Sequence, residues 1–260
     1  MAVHINAVVI TRPLAQATEF ARRVDAIGRQ GIIFPLLDIK PLEDITVLQA
    51  ALAALQRYAL VAFVSPNAIH AAFSHLVNGW PASVPIAVIG EGSRTALAGY
   101  GVTAENTRII SPRNAERTDS ETLLQALDVD VLRNQNVLII RGESGRELLA
   151  EQLRNHGAIV TQVAAYRRSM PSLNAEKKQQ LQQLLINRHD WVITSSEALR
   201  NLVAMVAQLA DQDVVAKMQQ QKIIVSHRRI AETAHSEGFL DVLLTGSGDE
   251  CLLGALQFRL

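Results

Sequence analysis

The chain lacks the features on which disulfides, metal sites and membrane spans depend. It carries one cysteine, Cys251, among 260 residues, which excludes an internal disulfide and a multi-cysteine metal site. Its seven histidines show no metal-ligand spacing. No apolar run approaches the ~18 residues that a membrane helix needs, and the first residues do not resemble a signal peptide. We therefore expect a cytoplasmic protein with no metal and no membrane partner.

An excess of charge of one sign is also absent. Lys plus Arg and Asp plus Glu each number 25, so the formal net charge is +0 at pH 7. This balance argues against a nucleic-acid partner, because such proteins usually carry a basic excess. Apolar residues make up 48% of the chain and charged residues 19%, as in folded globular proteins. An anionic ligand would have to be held by local groups.

Several sequence motifs of known catalytic or nucleotide sites are missing. There is no GxxxxGK[ST] phosphate loop, no GxSxG nucleophile elbow and no HExxH motif. Gly90 and Gly92 begin a dinucleotide fingerprint, but Thr95 stands where its third glycine belongs. A nucleotide-dependent transferase is therefore disfavoured.

Short apolar runs alternate with stretches of helical periodicity. After the first run, Leu14, Ala17, Phe20, Ala21, Val24 and Ile27 fall on one helical face. Continuous apolar strands separated by amphipathic helices indicate an α/β fold with parallel sheets covered on both faces. The predicted strands are 8–11, 32–37, 60–64, 86–89, 137–140, 159–164, 191–194, 223–226 and 242–245.

The two halves of the chain resemble each other. Segments 8–41 and 137–171 share one order: strand, Arg, loop, helix, Gly, strand and an extended exit to a proline. The offset of roughly 130 residues suits two domains, although α/β segments also resemble each other by chance. The exits 36–41 and 166–171 are predicted to be extended connectors. We expect the middle of the chain to form one lobe and its two ends the other; a simple tandem is the alternative.

The predicted strand ends are small, hydroxylic or glycine-rich, and most of them precede a helix. Ligands bind at the carboxyl ends of strands in open parallel sheets, and helix amino termini offer free N–H groups to anions. Ordinary helix capping is the alternative for each residue alone. Together they predict a polyanionic ligand between the lobes. The candidate binding residues are Thr11, Arg12, Ser65, Asn67, Gly90, Ser93, Arg141, Gly142, Gly145, Thr194, Ser195, Ser196, Ser226, His227 and Arg228.

Tyr166 is the candidate catalytic residue. It is predicted to end a strand and open a connector, so that its side chain faces the cleft. A phenol there is a plausible general acid for a leaving hydroxyl. A packed hinge tyrosine is the alternative.

Five segments, in order, carry a family resemblance: VVITRP, FVSPNAI, AVIGEGS, LIIRGESGRELL and VAAYRR. With them the chain resembles the uroporphyrinogen-III synthases. The resemblance implies two α/β lobes with interleaved topology, 1–38 plus 168–260 and 39–167, joined by a two-stranded linker near 36–41 and 166–171. It implies conversion of hydroxymethylbilane, a linear tetrapyrrole with eight carboxylates, into uroporphyrinogen III. Water is lost, the macrocycle closes and ring D is inverted, without a metal or an organic cofactor.

The resemblance also implies residue roles and partners. Tyr166 matches the family's cleft tyrosine, the candidate proton donor to the departing hydroxyl. Ser93 stands where the family usually has threonine, and Val64 replaces a common threonine; both changes keep the backbone amides. We expect a monomer that receives its substrate by transient hand-over from hydroxymethylbilane synthase. A non-catalytic binding protein for a tetrapyrrole or polyanion and a periplasmic-type solute receptor are the rival interpretations, the second disfavoured by the absent signal peptide.

Overall fold

The structure is a computed structural model that describes residues 7–112, 119–209 and 212–257. The chain divides into two compact units. The discontinuous unit comprises Met1–Asp38 and Ser169–Leu260, and the continuous unit comprises Ile39–Arg168. The chain therefore passes between the units twice. Each unit contains a parallel-stranded sheet with helices, which confirms the expected α/β class.

Strands and helices alternate along most of the chain. The strands are β1 (Val8–Ile10), β2 (Gly31–Ile33), β3 (Asp38–Pro41), β4 (Leu60–Phe63), β5 (Ile86–Val88), β6 (Ile109–Ile110), β7 (Asn136–Gly142), β8 (Ile159–Ser169), β9 (Asp190–Ile193), β10 (Lys222–Val225) and β11 (Asp241–Leu244). The helices are α1 (Leu14–Ala26), α2 (Thr46–Ala53), α3 (Pro66–Phe73), α4 (Glu91–Gly99), α5 (Ser120–Ala126), α6 (Leu148–Asn155), α7 (Ala175–Ile186), α8 (Ser196–Ala207), α9 (Gln212–Gln219), α10 (Arg228–Ser236) and α11 (Asp249–Gln257). Over the described part of the chain, no helix combines the length and the apolar character needed to cross a membrane.

The discontinuous unit has a five-stranded sheet in the order β11-β10-β9-β1-β2. Every neighbouring pair is parallel, so the carboxyl ends of all five strands share one edge. Trp191 on β9 packs into a core on one face, whereas Val192 packs into a core on the other. Both residues are fully buried. Burial on both faces explains why the strands are continuously apolar.

The continuous unit has a six-stranded sheet in the order β3-β8-β7-β4-β5-β6. The pairs β8–β7, β7–β4, β4–β5 and β5–β6 are all parallel, so the carboxyl ends of these five strands also share an edge. Side chains of β7 alternate between two cores. Leu138 and Ile140 pack on one face, and Val137 and Ile139 pack on the other.

Two expectations about strand ends are wrong. Tyr166 does not end a strand, because β8 continues to Ser169. The strand is extended because β3, the predicted connector, lies beside it as its neighbour in the sheet. Arg141 and Gly142 also lie inside β7 rather than in the loop that follows it. Arg141 is accommodated there because Glu147 and Gln162 bind its guanidinium group.

The buried face of the first helix is largely as predicted. Ala17, Phe20 and Val24 are fully buried on α1. Leu14 is the exception, since it is 63% exposed. It occupies the first position of the helix and therefore lies at the end of the buried stripe.

Candidate functional site

Ser65 links a helix start to the candidate catalytic tyrosine. It follows β4 and occupies the N-cap of α3, where its Oγ accepts a hydrogen bond from the amide of Ala68 at 3.2 Å. Pro66 stands in the first turn, as the Ser-Pro pair predicts. The same Oγ lies 3.0 Å from the hydroxyl oxygen of Tyr166. One serine therefore fixes both the helix start and the phenol.

Tyr166 is held from several sides within the continuous unit. It is 5% exposed and belongs to the core that includes Val163 and Phe63. Its carbonyl oxygen accepts a hydrogen bond from the amide of Glu143 at 2.8 Å. The phenol packs so closely on Gly142 that a Cβ added there would lie 3.0 Å from the ring Cζ. The ring thus has a defined position.

The start of α4 lies beside the start of α3. Gly90 is the N-cap residue of α4, and the amide of Ser93 donates to its carbonyl oxygen at 3.0 Å. Ser93 is buried. A Cβ added to Gly92 would come within 3.6 Å of the Cγ of Pro66, which places the two helix amino termini next to each other. Asn67 lies in the first turn of α3. Adjacent helix amino termini concentrate amide donors suited to a carboxylate.

Arg141 is engaged inside the continuous unit. It is 7% exposed, forms an ion pair with Glu147 and donates to Oε1 of Gln162 at 2.6 Å. Hydrogen bonding from Gln162 and then from Arg141 holds the pKa of Glu147 below its ordinary value. At Gly145, φ is 149°, and a Cβ added there would lie 2.8 Å from Nη2 of Arg141. The structure therefore gives Arg141 and Gly145 a role in holding the loop after β7.

The first strand end of the discontinuous unit is also tied internally. The hydroxyl of Thr11 is buried and donates to the carbonyl oxygen of Val192 at 2.8 Å. Arg12 forms an ion pair with Asp249 at 2.7 Å. Its guanidinium carbon also lies 4.5 Å from the ring centroid of Phe20. Arg12 is thus oriented by two neighbours.

Ser195 and Ser196, which follow β9, have different hydrogen-bond partners. The Oγ of Ser195 caps α8 by accepting from the amide of Ala198 at 3.0 Å. Ser196 is buried, and its Oγ accepts from the hydroxyl of Thr233 at 3.1 Å. Thr194, which precedes them, is half-buried.

The loop after β10 places an imidazole next to a hydroxyl. His227 occupies the N-cap position of α10, and its ring nitrogens lie 3.5 Å from the Oγ of Ser247. Ser226 and Ser247 are both buried. Arg228 is exposed and donates to Glu232 at 3.1 Å on the helix surface. The His227–Ser247 contact joins the ends of β10 and β11.

The structure sorts the predicted residues into separate groups. Ser65, Gly142 and Tyr166 are brought into contact, with Gly90 and Ser93 on the neighbouring helix start. Arg141 and Gly145 form a second group. Asn67 lies in the first turn of α3, next to Ser65. The other predicted residues belong to the discontinuous unit: Thr11, Arg12, Thr194, Ser195, Ser196, Ser226, His227 and Arg228.

Sequence reasoning missed the partners of the predicted side chains. Gln162 and Glu147 are 15 residues apart and meet only because β7 pairs with β8. Asp249 meets Arg12 from the other end of the chain. No spacing rule signals such pairs. Among the residues described, no group of three or more His, Cys, Asp or Glu side chains is arranged to hold a metal ion.

Comparison with known proteins identifies the family. A family model described as uroporphyrinogen-III synthase HemD matches residues 18–244. The chain belongs to this family. The resemblance carried by the five segments is therefore confirmed.

Individual relatives agree with this assignment. The uroporphyrinogen-III synthase of Escherichia coli (strain K12) is 29% identical over 255 residues, which cover 96% of this chain and 99% of that protein. That of Proteus mirabilis is 31% identical over 164 residues, or 62% of this chain and 79% of that protein. The crystal structure of uroporphyrinogen-III synthetase from Helicobacter pylori 26695 superposes with a TM-score of 0.58 at 13% identity, covering 98% and 100% of the two chains. The structural likeness supports the fold.

Proposed function

We propose that this chain is a uroporphyrinogen-III synthase, which removes water from hydroxymethylbilane and closes it to uroporphyrinogen III with inversion of ring D. The observation that carries this proposal is the family match over residues 18–244. The alignment with the Escherichia coli synthase supports it, since it covers 99% of that protein.

In this proposal Tyr166 is the general acid. The carbon–oxygen bond of the hydroxymethyl group breaks with both electrons going to oxygen, and the phenol supplies the proton that completes a water molecule. The electron-rich pyrrole stabilises the resulting azafulvene. The proton lost from ring D after closure restores the phenol. The contact of 3.0 Å with Ser65 supports this role, because it orients the hydroxyl of a nearly buried side chain.

Carboxylate binding falls mainly to backbone amides at helix starts. Ser65, Gly90, Ser195 and His227 stand at the N-caps of α3, α4, α8 and α10. Such amides are fixed by the fold before the substrate arrives, so they stabilise developing charge with little reorganisation. The chemistry requires no redox step, and we include cofactor independence in the proposal. Selection of isomer III then rests on how the substrate is positioned.

The test is a coupled assay in which hydroxymethylbilane synthase generates the substrate in situ. The purified chain is added, and the porphyrin isomers are separated after oxidation. Mostly isomer III is the expected product. Isomer I alone, at the spontaneous rate and from a folded protein, would refute the synthase and favour a non-catalytic tetrapyrrole-binding protein. The proposal includes a monomeric state and transient hand-over of the substrate from hydroxymethylbilane synthase. Sedimentation of the chain alone measures the first, and sedimentation with hydroxymethylbilane synthase present examines the second. The cytoplasmic location stays a prediction.

A further inference from the structure

We infer that Gly142 is a positioning residue for Tyr166, and that the absence of a side chain on this strand residue sets the place of the phenol hydroxyl. The inference rests on the proposed function, in which Tyr166 donates a proton. The sequence predicts that Gly142 binds the substrate, whereas in this inference Gly142 acts through Tyr166.

The strand order makes Gly142 the residue that the tyrosine must cross. Tyr166 lies on β8, Ser65 follows β4, and β7 runs between these two strands. Neighbouring strands are about 4.8 Å apart, so the side chain has to pass over β7 to reach the serine. The residue of β7 beneath it is Gly142, and a Cβ there would lie 3.0 Å from Cζ, 3.2 Å from Cε2 and 3.2 Å from the hydroxyl oxygen.

A local irregularity in the sheet aims the tyrosine at this position. Arg141 pairs with Ala164, whereas the next residue, Gly142, pairs with Tyr166, so Ala165 is skipped in the register. Bulges of this kind redirect a side chain. The amide of Glu143 donates to the carbonyl oxygen of Tyr166 at 2.8 Å and closes the irregular pairing. The backbone of the tyrosine is therefore fixed where its ring lies over glycine.

Neither end of the Tyr166–Ser65 contact has freedom to follow a displaced ring. Tyr166 is 5% exposed within a packed core. Ser65 is held by its capping bond to the amide of Ala68. The φ of Gly142 lies outside the left-handed region, so an alanine there causes no backbone strain. Gly142→Ala therefore acts through the ring contact, and a ring displaced by a few tenths of an ångström or more weakens the hydroxyl contact.

The test is a double-mutant cycle of Gly142→Ala and Tyr166→Phe, followed in the coupled isomer assay. In the tyrosine background, we expect Gly142→Ala to lower kcat about 10-fold and to change KM less than about 2-fold. In the phenylalanine background, the same change should alter kcat less than about 2-fold, because there is no hydroxyl left to misplace. The melting temperature should fall in both backgrounds, since Phe retains the crowded ring.

Gly99→Ala is the matched control. Gly99 lies on α4 in the same unit, and a Cβ added there meets nothing within 4 Å. We expect this variant to keep the wild-type kcat.

The possible results separate the inference from the function on which it rests. An equal loss of kcat in both backgrounds, or wild-type kcat for Gly142→Ala beside an impaired Tyr166→Phe, overturns the inference alone. Wild-type kcat for Tyr166→Phe removes the proton donor and the inference with it. Isomer I alone from the wild type refutes the synthase. In that case a crystal structure of Gly142→Ala still tests whether Gly142 positions the phenol. A distance beyond about 3.5 Å between the Tyr166 hydroxyl oxygen and Ser65 Oγ supports the positioning role, and an unchanged contact overturns it.

Discussion

Nη2 of Arg29 lies 2.9 Å from Oδ2 of Asp190, and the two side chains are only 11% and 3% exposed. Asp190 begins β9, so the pair lies at the amino edge of the sheet, opposite the edge that carries Ser195 and Ser196. Arg29 also donates to the carbonyl oxygen of Leu256 at 3.1 Å, which ties α11 to the sheet. The Arg29–Asp190 ion pair therefore serves stability away from the candidate site.

Arg29→Met should destabilise the protein strongly without affecting catalysis. The change removes a cation from a buried carboxylate, and breaking such a pair from one side costs about 3 kcal/mol of unfolding free energy. Urea unfolding measures the loss, and kcat of the folded protein should not change. Arg22→Met is the matched control, because Arg22 pairs with Glu19 on the surface with exposures of 73% and 63%. That pair should contribute less than about 1 kcal/mol, and similar losses for both variants would contradict the prediction.

Tyr166→Phe should lower kcat about 100-fold or more while leaving the fold intact. The phenyl ring retains the core packing of Tyr166, whereas the hydroxyl that meets Ser65 is lost. Circular dichroism and the melting temperature report the fold, and the coupled assay reports turnover. Equal turnover in the two proteins would end the general-acid role.

Ser65→Ala should lower both stability and turnover, because Ser65 serves Ala68 and Tyr166 at once. Loss of an N-cap costs about 1 kcal/mol. Asn174→Ala provides the comparison, since Asn174 caps α7 through the amide of Lys177 at 2.9 Å and lies outside the candidate site. We expect similar losses of stability and a loss of kcat for Ser65→Ala only. A full kcat for Ser65→Ala would show that the tyrosine acts without the serine.

The Glu147 carboxylate should contribute to stability at neutral pH and lose that contribution in acid. Hydrogen bonds from Gln162 and Arg141 lower the pKa of Glu147 below its ordinary value of 4.5. A lowered folded-state pKa means that the contribution is complete above the ordinary pKa and disappears as pH falls through the folded-state value. Glu147 is 49% exposed, so the effect should stay below about 1 kcal/mol.

Unfolding of the wild type and Glu147→Gln across pH 3 to 7 tests this expectation. The stability difference between the two proteins should be present at neutral pH and should shrink below about pH 4.5. A difference that is constant with pH would show that the carboxylate charge is not responsible.

No substitution of a single substrate-binding residue should abolish activity, because backbone amides from several loops bind the substrate together. Ser93→Ala illustrates this, since Ser93 is buried and its amide, which bonds to Gly90, is unchanged by the substitution. A lost neutral hydrogen bond costs about 0.5–1.5 kcal/mol, so kcat/KM should fall at most about 10-fold. An inert Ser93→Ala protein with an intact fold would contradict shared binding.

The positions of strands and helices are easier to predict from the sequence than the residues at which they end. Trp191 and Val192 lie in a continuously apolar run, and such runs indicate strands buried on both faces. The end of β8 was misplaced because Tyr166 and the residues after it are polar or amphipathic. They are extended because β3 lies beside them, and that pairing partner comes from a distant part of the chain.

Local residue chemistry, then, determined the α/β class, the apolar strands, the helix starts at Ser65 and Ser195, and the family resemblance, because each depends on residues near one another in the chain. The tertiary structure alone decided which side chains meet: Tyr166 with Ser65 over Gly142, Arg141 with Glu147, and Arg12 with Asp249. Such contacts depend on strand order and register. Those follow from the packing of whole sheets and helices, which no short stretch of sequence encodes.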